Sequence, residues 1–300
     1  MKKLNEILGT KYPVIQGAMA NIATGAFAAA CANAGALGII ATGGMAPEKF
    51  EKEIAEAREK TDRPFGANLM LMSPHTEEMV DIVCQEHIPF VTTGAGSPGP
   101  YMEKLKAAGV FVMPVVAAPI LAQHLEALGA DAIIAEGCES GGHIGEMTTL
   151  TLVPQVCDAV RIPVIAAGGI ADRRQMAAAK ALGACGVQVG TCLLASIECP
   201  IHENYKNAIL KAKGSDTIVT GRIGGTPVRV LKNQMAREYV RREREGAGKE
   251  ALEQYTLGSL RRAVFDGDTK TGSLMSGQVC GQLTRIRPVA EILADLCEGF

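Results

Sequence analysis

The stretch IPVIAAGGIADRRQMAAAKALGACGVQVGT, residues Ile162–Thr191, decides the fold because it contains one complete strand–helix–strand unit. The apolar run 162–167 predicts a strand that is covered on both faces, since its hydrophobic residues do not alternate with polar ones. Residues 172–182 predict a helix that ends at a glycine, and residues 186–189 predict the next strand. A strand, a helix and a second strand in this order form the building block of α/β folds.

The same unit recurs along the first two thirds of the chain. Apolar runs that predict strands begin at intervals of 21–31 residues, and helical patterns fill the segments between them. There are eight such runs: 13–16, 37–42, 65–71, 88–93, 110–116, 131–135, 162–167 and 186–189. Because eight βα units are typical of a (β/α)8 TIM barrel, the sequence predicts an α/β protein of this class.

Glycine marks both ends of the predicted unit. Four predicted helices end at a glycine, which can adopt the left-handed conformation of a C-cap: Gly35, Gly109, Gly129 and Gly183. Six predicted strands end at a glycine: Gly17, Gly43, Gly94, Gly137, Gly168 and Gly190. Strand ends share the C-terminal face of a barrel, where active sites lie. One glycine there is best explained as a turn residue, but six favour a ligand close to the backbone.

The repeat stops after Ser196. Residues 202–262 are polar and helical in pattern, and they predict a small, mainly helical domain inserted after the eighth strand. Residues 289–299 are again amphipathic and predict a last helix that returns to the barrel. The expected organisation is a barrel over residues 1–196, the small domain over 197–280 and the returning helix over 281–300.

The composition indicates a soluble globular protein. A net charge of −2 and an aromatic content of 4% without tryptophan give no basis for nucleic-acid binding. No apolar run approaches the roughly 20 residues that span a bilayer, and the N-terminus lacks the apolar core of a signal peptide. The nine cysteines are an odd number without metal-ligand spacing, so we expect free thiols, no metal site and a reducing cytoplasm.

The turns after the last two predicted strands favour a phosphate site. Gly168-Gly169 follows the seventh strand and Gly190-Thr191 follows the eighth. In barrels these two turns bind phosphate through backbone N–H groups and a short helix N-terminus. A flavin mononucleotide would use the rest of that face well, with backbone contacts from residues 16–19 and a hydrogen bond from Asn68. The alternative for Asn68 is a polar residue that caps local backbone.

His143 is the candidate acid or base. It lies in the run Gly141-Gly142-His143, shortly after the sixth predicted strand, and imidazole transfers protons near neutral pH. A lone histidine is usually structural, but the flanking glycines at a strand end argue against a packing role here. Glu136 could orient a bound ligand, whereas a solvated carboxylate is the default interpretation for Glu139.

The chain resembles the flavin-dependent enoyl-(acyl-carrier-protein) reductase II family, within the wider nitronate monooxygenase-like (2-nitropropane dioxygenase-like) superfamily. The resemblance runs nearly end to end. It is carried by Tyr12–Gly17 (YPVIQG), Pro64–Met70 (PFGANLM), Thr92–Gly96 (TTGAG), Ile134–Gly137 (IAEG), Gly141–Gly145 (GGHIG), Thr148–Pro154 (TTLTLVP), Ile162–Asp172, Gln188–Thr191 (QVGT) and Ser276–Gln278 (SGQ). GGHIG followed by TTLTLVP is the most specific of these motifs, because the monooxygenases usually keep GGH but not the residues after it.

The resemblance implies a barrel with bound FMN and a small domain over the cofactor. FMN would receive hydride from NADH or NADPH and reduce a trans-2-enoyl thioester, bound to acyl carrier protein or CoA, in fatty-acid synthesis. His143 would position the thioester or protonate its α-carbon. The implied flavin site comprises Gln16, Gly17, Ala18, Met19, Asn68, Glu136, Ser140, Gly141, Gly142, Ala167, Gly168, Gly169, Gly190, Thr191, Met275 and Gln278. The family also implies a cytoplasmic homodimer.

Two other functions remain open at the level of the sequence. In a nitronate monooxygenase the same histidine acts as a base on a nitroalkane, and oxygen re-oxidises the flavin. A phosphate-binding barrel without flavin, acting as a sugar-phosphate isomerase or a ligand sensor, is the third possibility. It would leave the His143 loop with no flavin beside it.

Overall fold

A computed structural model describes residues 3–223 and 226–299. Its strands, in chain order, are β1 (Val14–Gln16), β2 (Gly38–Ala41), β3 (Phe65–Met70), β4 (Phe90–Gly94), β5 (Phe111–Val116), β6 (Ile133–Glu136), β7 (Gly142–His143), β8 (Val164–Ala167), β9 (Gly186–Val189), β10 (Thr217–Thr220) and β11 (Val228–Leu231).

Eight parallel strands form the barrel. Their order is β1-β9-β8-β6-β5-β4-β3-β2, and a parallel bridge between Ile15 and Leu37 joins the two edge strands. Two backbone hydrogen bonds of 2.9 Å hold this seam, from Leu37 N to Val14 O and from Gln16 N to Leu37 O. The predicted (β/α)8 barrel is therefore confirmed.

The helices surround the barrel and build the insertion. They are α1 (Leu4–Leu8), α2 (Gly25–Ala34), α3 (Pro47–Lys60), α4 (Thr76–Gln85), α5 (Gly99–Ala107), α6 (Pro119–Ala127), α7 (Thr149–Ala159), α8 (Arg173–Ala181), α9 (Thr191–Leu194), α10 (Glu203–Lys211), α11 (Gln234–Arg244), α12 (Lys249–Thr256), α13 (Ser259–Phe265) and α14 (Val289–Leu296). The glycines predicted to end four helices have φ values of +105° (Gly35), +75° (Gly109), +94° (Gly129) and +102° (Gly183). All four occupy the left-handed region that glycine favours.

The barrel interior is filled from below. Leu4 and Leu8 of α1 are buried in one cluster with inward-facing residues of the strands, including Ile15 and Ile165. A Cβ at Gly186, the first residue of β9, would lie 2.4 Å from Leu4 Cδ2. Helix α1 therefore covers the N-terminal end of the barrel, opposite the C-terminal end where the active sites of such barrels lie.

The insertion after β9 contains a hairpin that is not apparent from the sequence. Strands β10 and β11 pair antiparallel, and β11 pairs with β7 to give a second, three-stranded sheet. Helices α10–α13 account for the helical character that the sequence predicted. The sheet therefore joins the insertion directly to the segment that carries His143.

The last helix, α14, packs against α2, α8 and α9, near the two ends of the repeat. Its buried face comprises Val289, Ile292, Leu293 and Leu296. Across residues 3–223 and 226–299, no helix combines the length and the apolar character needed to cross a membrane.

Candidate active site

Polar side chains form a ring at the open end of the barrel. Glu136 and Gln188 are the register partners of Ala167 on either side, and Ala167 belongs to the interior cluster. Neighbours in register point to the same face of a sheet, so both side chains face the barrel axis. On the opposite side Asn68 Nδ2 donates to Thr92 Oγ1 at 2.9 Å. Asn68 Oδ1 has no partner among the described residues and is free to accept from a ligand.

Glu136 and Ser140 carry unused polar atoms. Burial raises the pKa of the Glu136 carboxyl to about 7, and the nearby Ser140 hydroxyl offsets part of that rise. That hydroxyl does not reach hydrogen-bond geometry, since the buried Ser140 Oγ has no partner among the described residues. An unpaired buried hydroxyl is costly unless water or a ligand satisfies it. The pair therefore indicates a ligand at the barrel mouth.

The turn after β6 is packed too closely for any residue but glycine. A Cβ at Gly137 would lie 2.1 Å from Thr149 Oγ1 and 2.6 Å from Glu139 Oε2. Glu139 accepts hydrogen bonds from Thr149 N, at 3.0 and 2.9 Å to its two oxygens, at the first turn of α7. Glu139 is thus not the solvated carboxylate that the sequence suggested. It anchors the His143 loop to α7, because a carboxylate is stabilised at a helix N-terminus.

The turns after β8 and β9 present free N–H groups. Gly168 and Gly169 have φ values of +89° and +73°, and Gly190 precedes the short helix α9. Within the described residues, the amides of these three glycines donate no hydrogen bond to a side chain or to a loop carbonyl. Thr191 Oγ1 accepts from Gly277 N at 2.9 Å, and its own proton remains available. This is the donor set that an anion such as phosphate requires.

The segment Ser273–Gln278 lies across the same face. Gly277 donates to Thr191, and Gln278 N donates to Glu139 O at 3.0 Å. A Cβ at Gly141 would lie 2.7 Å from the Ser276 carbonyl carbon, so loop and segment are in direct backbone contact. Met275 is fixed by the buried Tyr205, whose hydroxyl donates to Met275 O at 2.8 Å.

His143 lies at the edge of this site, on β7. It is the register partner of Val228 on β11, and Ile144 N donates to Pro227 O at 3.1 Å. The imidazole is exposed, yet the surrounding protein desolvates it enough to lower its pKa below the ordinary value. At neutral pH the ring is therefore uncharged, with one nitrogen as a donor and the other as an acceptor.

Arg229 holds the His143 loop in place through hydrogen bonds. This β11 residue is 7% exposed, and its Nε donates to Cys138 O at 2.9 Å while Nη1 donates to Thr217 Oγ1 at 3.0 Å. It is the register partner of Gly142. Burial raises the pKa of the Cys138 thiol, and the nearby Glu139 raises it further, so a thiolate nucleophile there is disfavoured.

The structure brings most of the predicted site residues to one face. These are Gly17, Asn68, Glu136, Ser140, Gly141, Gly142, His143, Ala167, Gly168, Gly169, Gly190, Thr191 and Met275, with Met19 against Gly190 and Ala18 against the interior cluster. Gln278 is exposed, and only its backbone is bonded in the site. Gln16 is fully buried in the β1–β2 seam, where its Nε2 donates to Gly17 O and its Oε1 accepts from Ile39 N. Both polar groups of the Gln16 side chain are therefore engaged within the protein.

Two residues at the site are not among those predicted from the sequence. Gln188 is a polar residue between two outward-facing valines of β9, so alternation along that strand could have identified it. Arg229 could not be found in this way, because its role depends on β11 pairing with β7, far away in the sequence.

The chain is similar to proteins of one known family. The profile of a family described as "Nitronate monooxygenase" matches residues 1–83 and 76–299. A curated relative from Rhodococcus jostii (strain RHA1) is named (3aS,4S,5R,7aS)-5-hydroxy-7a-methyl-1-oxo-octahydro-1H-indene-4-carboxyl-CoA dehydrogenase; it is 38% identical over 77% of this chain and 66% of its own length.

Two solved structures resemble the whole chain. FabK from Thermotoga maritima is 48% identical, with a TM-score of 0.96, over 99% of this chain and 96% of FabK. Nitroalkane oxidase from Streptomyces ansochromogenes is 28% identical, with a TM-score of 0.88, over 98% of this chain and 96% of the oxidase.

Proposed function

The chain belongs to the nitronate monooxygenase family, and from this premise we propose that it is an FMN-dependent reductase of trans-2-enoyl thioesters that uses NADH or NADPH. The observation that carries the proposal is the similarity to FabK, an enoyl-(acyl-carrier-protein) reductase II, over nearly the whole chain. The similarity to nitroalkane oxidase covers as much of the chain at a much lower identity. The resemblance in GGHIG and TTLTLVP favours the same reaction.

The residues at the barrel mouth fit FMN. The free amides of Gly168, Gly169 and Gly190 are suited to its phosphate. The partnerless Ser140 hydroxyl, the Glu136 carboxyl, whose pKa burial raises to about 7, and Asn68 Oδ1 supply polar contacts for the remaining polar groups. Together with the other positions implied by the family resemblance, these residues would hold the cofactor.

Hydride transfer is the chemistry that bound FMN supplies. The part of His143 follows from its lowered pKa, because an uncharged imidazole at neutral pH is a poor proton donor to carbon. Its N–H can instead donate a hydrogen bond to the thioester carbonyl oxygen and so orient the β-carbon. Of the two roles that the family resemblance implies for His143, we therefore favour positioning of the thioester over protonation of its α-carbon.

A second candidate function is nitronate oxidation. The same lowered pKa leaves His143 able to accept a proton from a nitroalkane carbon at neutral pH. The family description and the nitroalkane oxidase structure favour this alternative.

Turnover assays separate the two functions. We expect yellow protein that oxidises NADH or NADPH only when crotonyl thioester is present, and an activity about 100-fold lower in His143→Ala, the size of loss that a misplaced substrate causes. His124→Ala, which removes an exposed histidine of α6, is the matched control. Oxygen uptake with propionate 3-nitronate, without nicotinamide and without thioester reduction, would establish the monooxygenase instead.

Gly190→Ala tests the proposed phosphate site at the turns after β8 and β9. The protein alone tolerates this methyl group, because the nearest atom, Met19 Sδ, would be 3.6 Å away and φ is −128°. We therefore expect unchanged thermal stability of the flavin-free protein but at least about tenfold weaker FMN binding, measured by flavin fluorescence. Gly94→Ala, at another strand end with nothing within 4 Å, should leave both quantities unchanged. Equal FMN affinity in the two variants would contradict a phosphate site at these turns.

A further inference from the structure

The loops that follow β1 to β5 contain no Asp, Glu, Lys or Arg, although 21% of the chain is charged. These five strands are neighbours, because β5, β4, β3 and β2 are consecutive in the barrel and the bridge between Ile15 and Leu37 joins β2 to β1. The one histidine in the loops, His75, contacts Glu78 of α4 at 3.3 Å. We call these loops the uncharged arc of the barrel mouth; they comprise residues 17–24, 42–46, 71–75, 95–98 and 117–118.

The uncharged arc borders the polar part of the site at both of its ends. At one end, a Cβ at Gly145, two residues after His143, would lie 2.3 Å from Ala117 Cβ. At the other end, a Cβ at Gly190, in the turn after β9, would lie 3.6 Å from Met19 Sδ. A molecule whose polar group is bound beside His143 can therefore extend directly over the arc.

An unfilled position lies in the middle of the arc, at Gly94, the last residue of β4. Gly94 is the register partner of Met70 on β3, and both face the barrel axis, because Leu69 and Val91 point outward into the layer of helices. By the register of β4 and β5, Val115 lies on the other side of Gly94, and it packs against the interior cluster. A Cβ at Gly94 would meet nothing within 4 Å. We call this open space, between Met70 and Val115, the slot.

Met70 leaves the slot open because its side chain leans toward β2. A Cβ at Gly43, just after β2, would lie 3.1 Å from Met70 Sδ and 3.5 Å from Ala20 Cβ. The next residue of β3 that faces the axis is Asn68, which belongs to the implied flavin site. Alternate residues of a strand are about 7 Å apart, so the slot lies one layer farther out than Asn68. A cofactor at Asn68 therefore leaves the slot to the substrate.

The slot lies at a distance from the His143 loop that distinguishes short chains from long ones. This loop follows β6, and β4 is separated from β6 only by β5. Neighbouring strands lie about 4.8 Å apart, so the slot lies about 10 Å from β6. An extended chain advances about 1.3 Å per bond. A crotonyl chain of four carbons bound at the His143 loop therefore ends before the slot, whereas a chain of ten carbons reaches it.

We propose that the slot binds the hydrocarbon tail of the enoyl thioester, and that the missing side chain at Gly94 determines which chain lengths the protein prefers. This inference rests on the proposed function and deepens it, because it assigns a residue to chain-length specificity. A hydrocarbon is the occupant that fits an uncharged arc and two apolar walls. Each CH2 group buried there strengthens binding by about fourfold.

The variant Gly94→Leu fills the slot. Its backbone lies outside the left-handed region and its Cβ has open space, so folding should be unaffected. We expect kcat/KM for trans-2-decenoyl-CoA to fall at least about tenfold, mainly through KM, and kcat/KM for crotonyl-CoA to stay within about twofold. Gly94→Ala should cause a smaller loss with the longer substrate. The matched control is Ala46→Leu, which places leucine at an exposed position of the arc with φ of −80°.

Two further measurements check where the leucine acts. In wild type, KM should fall most steeply between chains of six and ten carbons, and this fall should be absent in Gly94→Leu. The FMN affinity of Gly94→Leu should stay within about twofold of wild type, because the slot lies outside the layer of Asn68. Equal losses with crotonyl-CoA and decenoyl-CoA, an unchanged KM for decenoyl-CoA, or weaker FMN binding would each overturn the proposal.

Binding of saturated thioesters separates this inference from the proposed function, since these compounds cannot be reduced at the double bond. By calorimetry, FMN-loaded wild type should bind decanoyl-CoA at least about tenfold more tightly than butyryl-CoA, and Gly94→Leu should lose most of this difference. If no enoyl thioester is reduced yet this difference is seen, the reductase proposal fails and the slot stands. If enoyl thioesters are reduced but the difference is insensitive to Gly94→Leu, the slot proposal fails alone.

Discussion

The carboxyl of Glu136 lies half-buried at the barrel mouth, and none of the cations that the structure describes is paired with it. Its pKa of about 7, against 4.5 in an ordinary environment, means that the folded protein keeps a proton there which the unfolded chain gives up. Between these two pH values the folded state binds more protons than the unfolded state. Stability must then fall as pH rises.

We predict that Glu136→Gln removes this loss in the ligand-free protein. In wild type the stability that comes from the proton retained on Glu136 is fully present below pH 4.5 and is lost as pH rises to about 7. The free energy of unfolding changes by at most about 3 kcal/mol over this range. As pH rises from 5 to 8, the free energy of unfolding of the variant should therefore increase relative to that of wild type, as measured by urea denaturation. Glu103→Gln, at an exposed position of α5, is the control. Parallel pH dependences for wild type and Glu136→Gln would contradict the assignment.

At the level of single residues, much of the site could be predicted because positions too crowded for a side chain are occupied by glycine, which is visible in the sequence. Gly137, Gly141 and Gly168 stand where a Cβ would lie 2.1–2.7 Å from a neighbour, and all three were singled out from the sequence. The hydrogen-bonding state of a buried polar side chain cannot be read from its residue type in the same way. The partnerless hydroxyl of Ser140 and the engaged side chain of Gln16 depend on neighbours that only the folded chain supplies.

Among the secondary-structure elements, the barrel strands were predictable and the hairpin was not. The barrel strands are apolar and recur with a period, so each supports the assignment of the others. Strands β10 and β11 are four residues each, and neither has the continuous apolar run that marks a barrel strand. Only their pairing with each other and with β7 defines them as strands, and no local pattern reveals that pairing.

The β11–β7 pairing makes Arg229 a positioning residue for His143. We predict that Arg229→Met lowers unfolding stability by about 1–3 kcal/mol, because the Cys138 carbonyl and the Thr217 hydroxyl lose their donor. It should also raise KM for the enoyl thioester and weaken FMN binding by a smaller factor, since the phosphate turns lie on other strands. Arg229→Lys should bring KM part of the way back to the wild-type value, because lysine keeps a cationic donor. A variant that loses FMN and substrate affinity equally would contradict this role.

At the scale of the whole molecule, two terminal helices complete the barrel. Helix α1 fills the N-terminal end of the barrel, and α14 packs against α2, α8 and α9, the helices that adjoin β1 and β9 in the sequence. The sequence predicted α14 from its amphipathic pattern. It gave no indication that α1 enters the barrel interior, because a five-residue helix is too short to show a reliable period.

We predict that Leu293→Ala destabilises the protein by about 2–5 kcal/mol, since Leu293 is fully buried in the face of α14 that closes the barrel. Leu257→Ala removes the same atoms from a side chain that is 70% exposed and should change stability by less than about 0.5 kcal/mol. Chemical denaturation of both variants measures the difference. A loss below about 1 kcal/mol for Leu293→Ala would mean that α14 is dispensable for closure.

The shared sheet has a consequence for recombining this protein with its relatives. Strand β7 belongs to the barrel by sequence but to the insertion by hydrogen bonding. A chimera that exchanges only the insertion would break the pairing at Gly142 and His143, although both crossover points would look permissible in an alignment. The transferable module is therefore discontinuous: residues 138–147 must be exchanged together with residues 217–231.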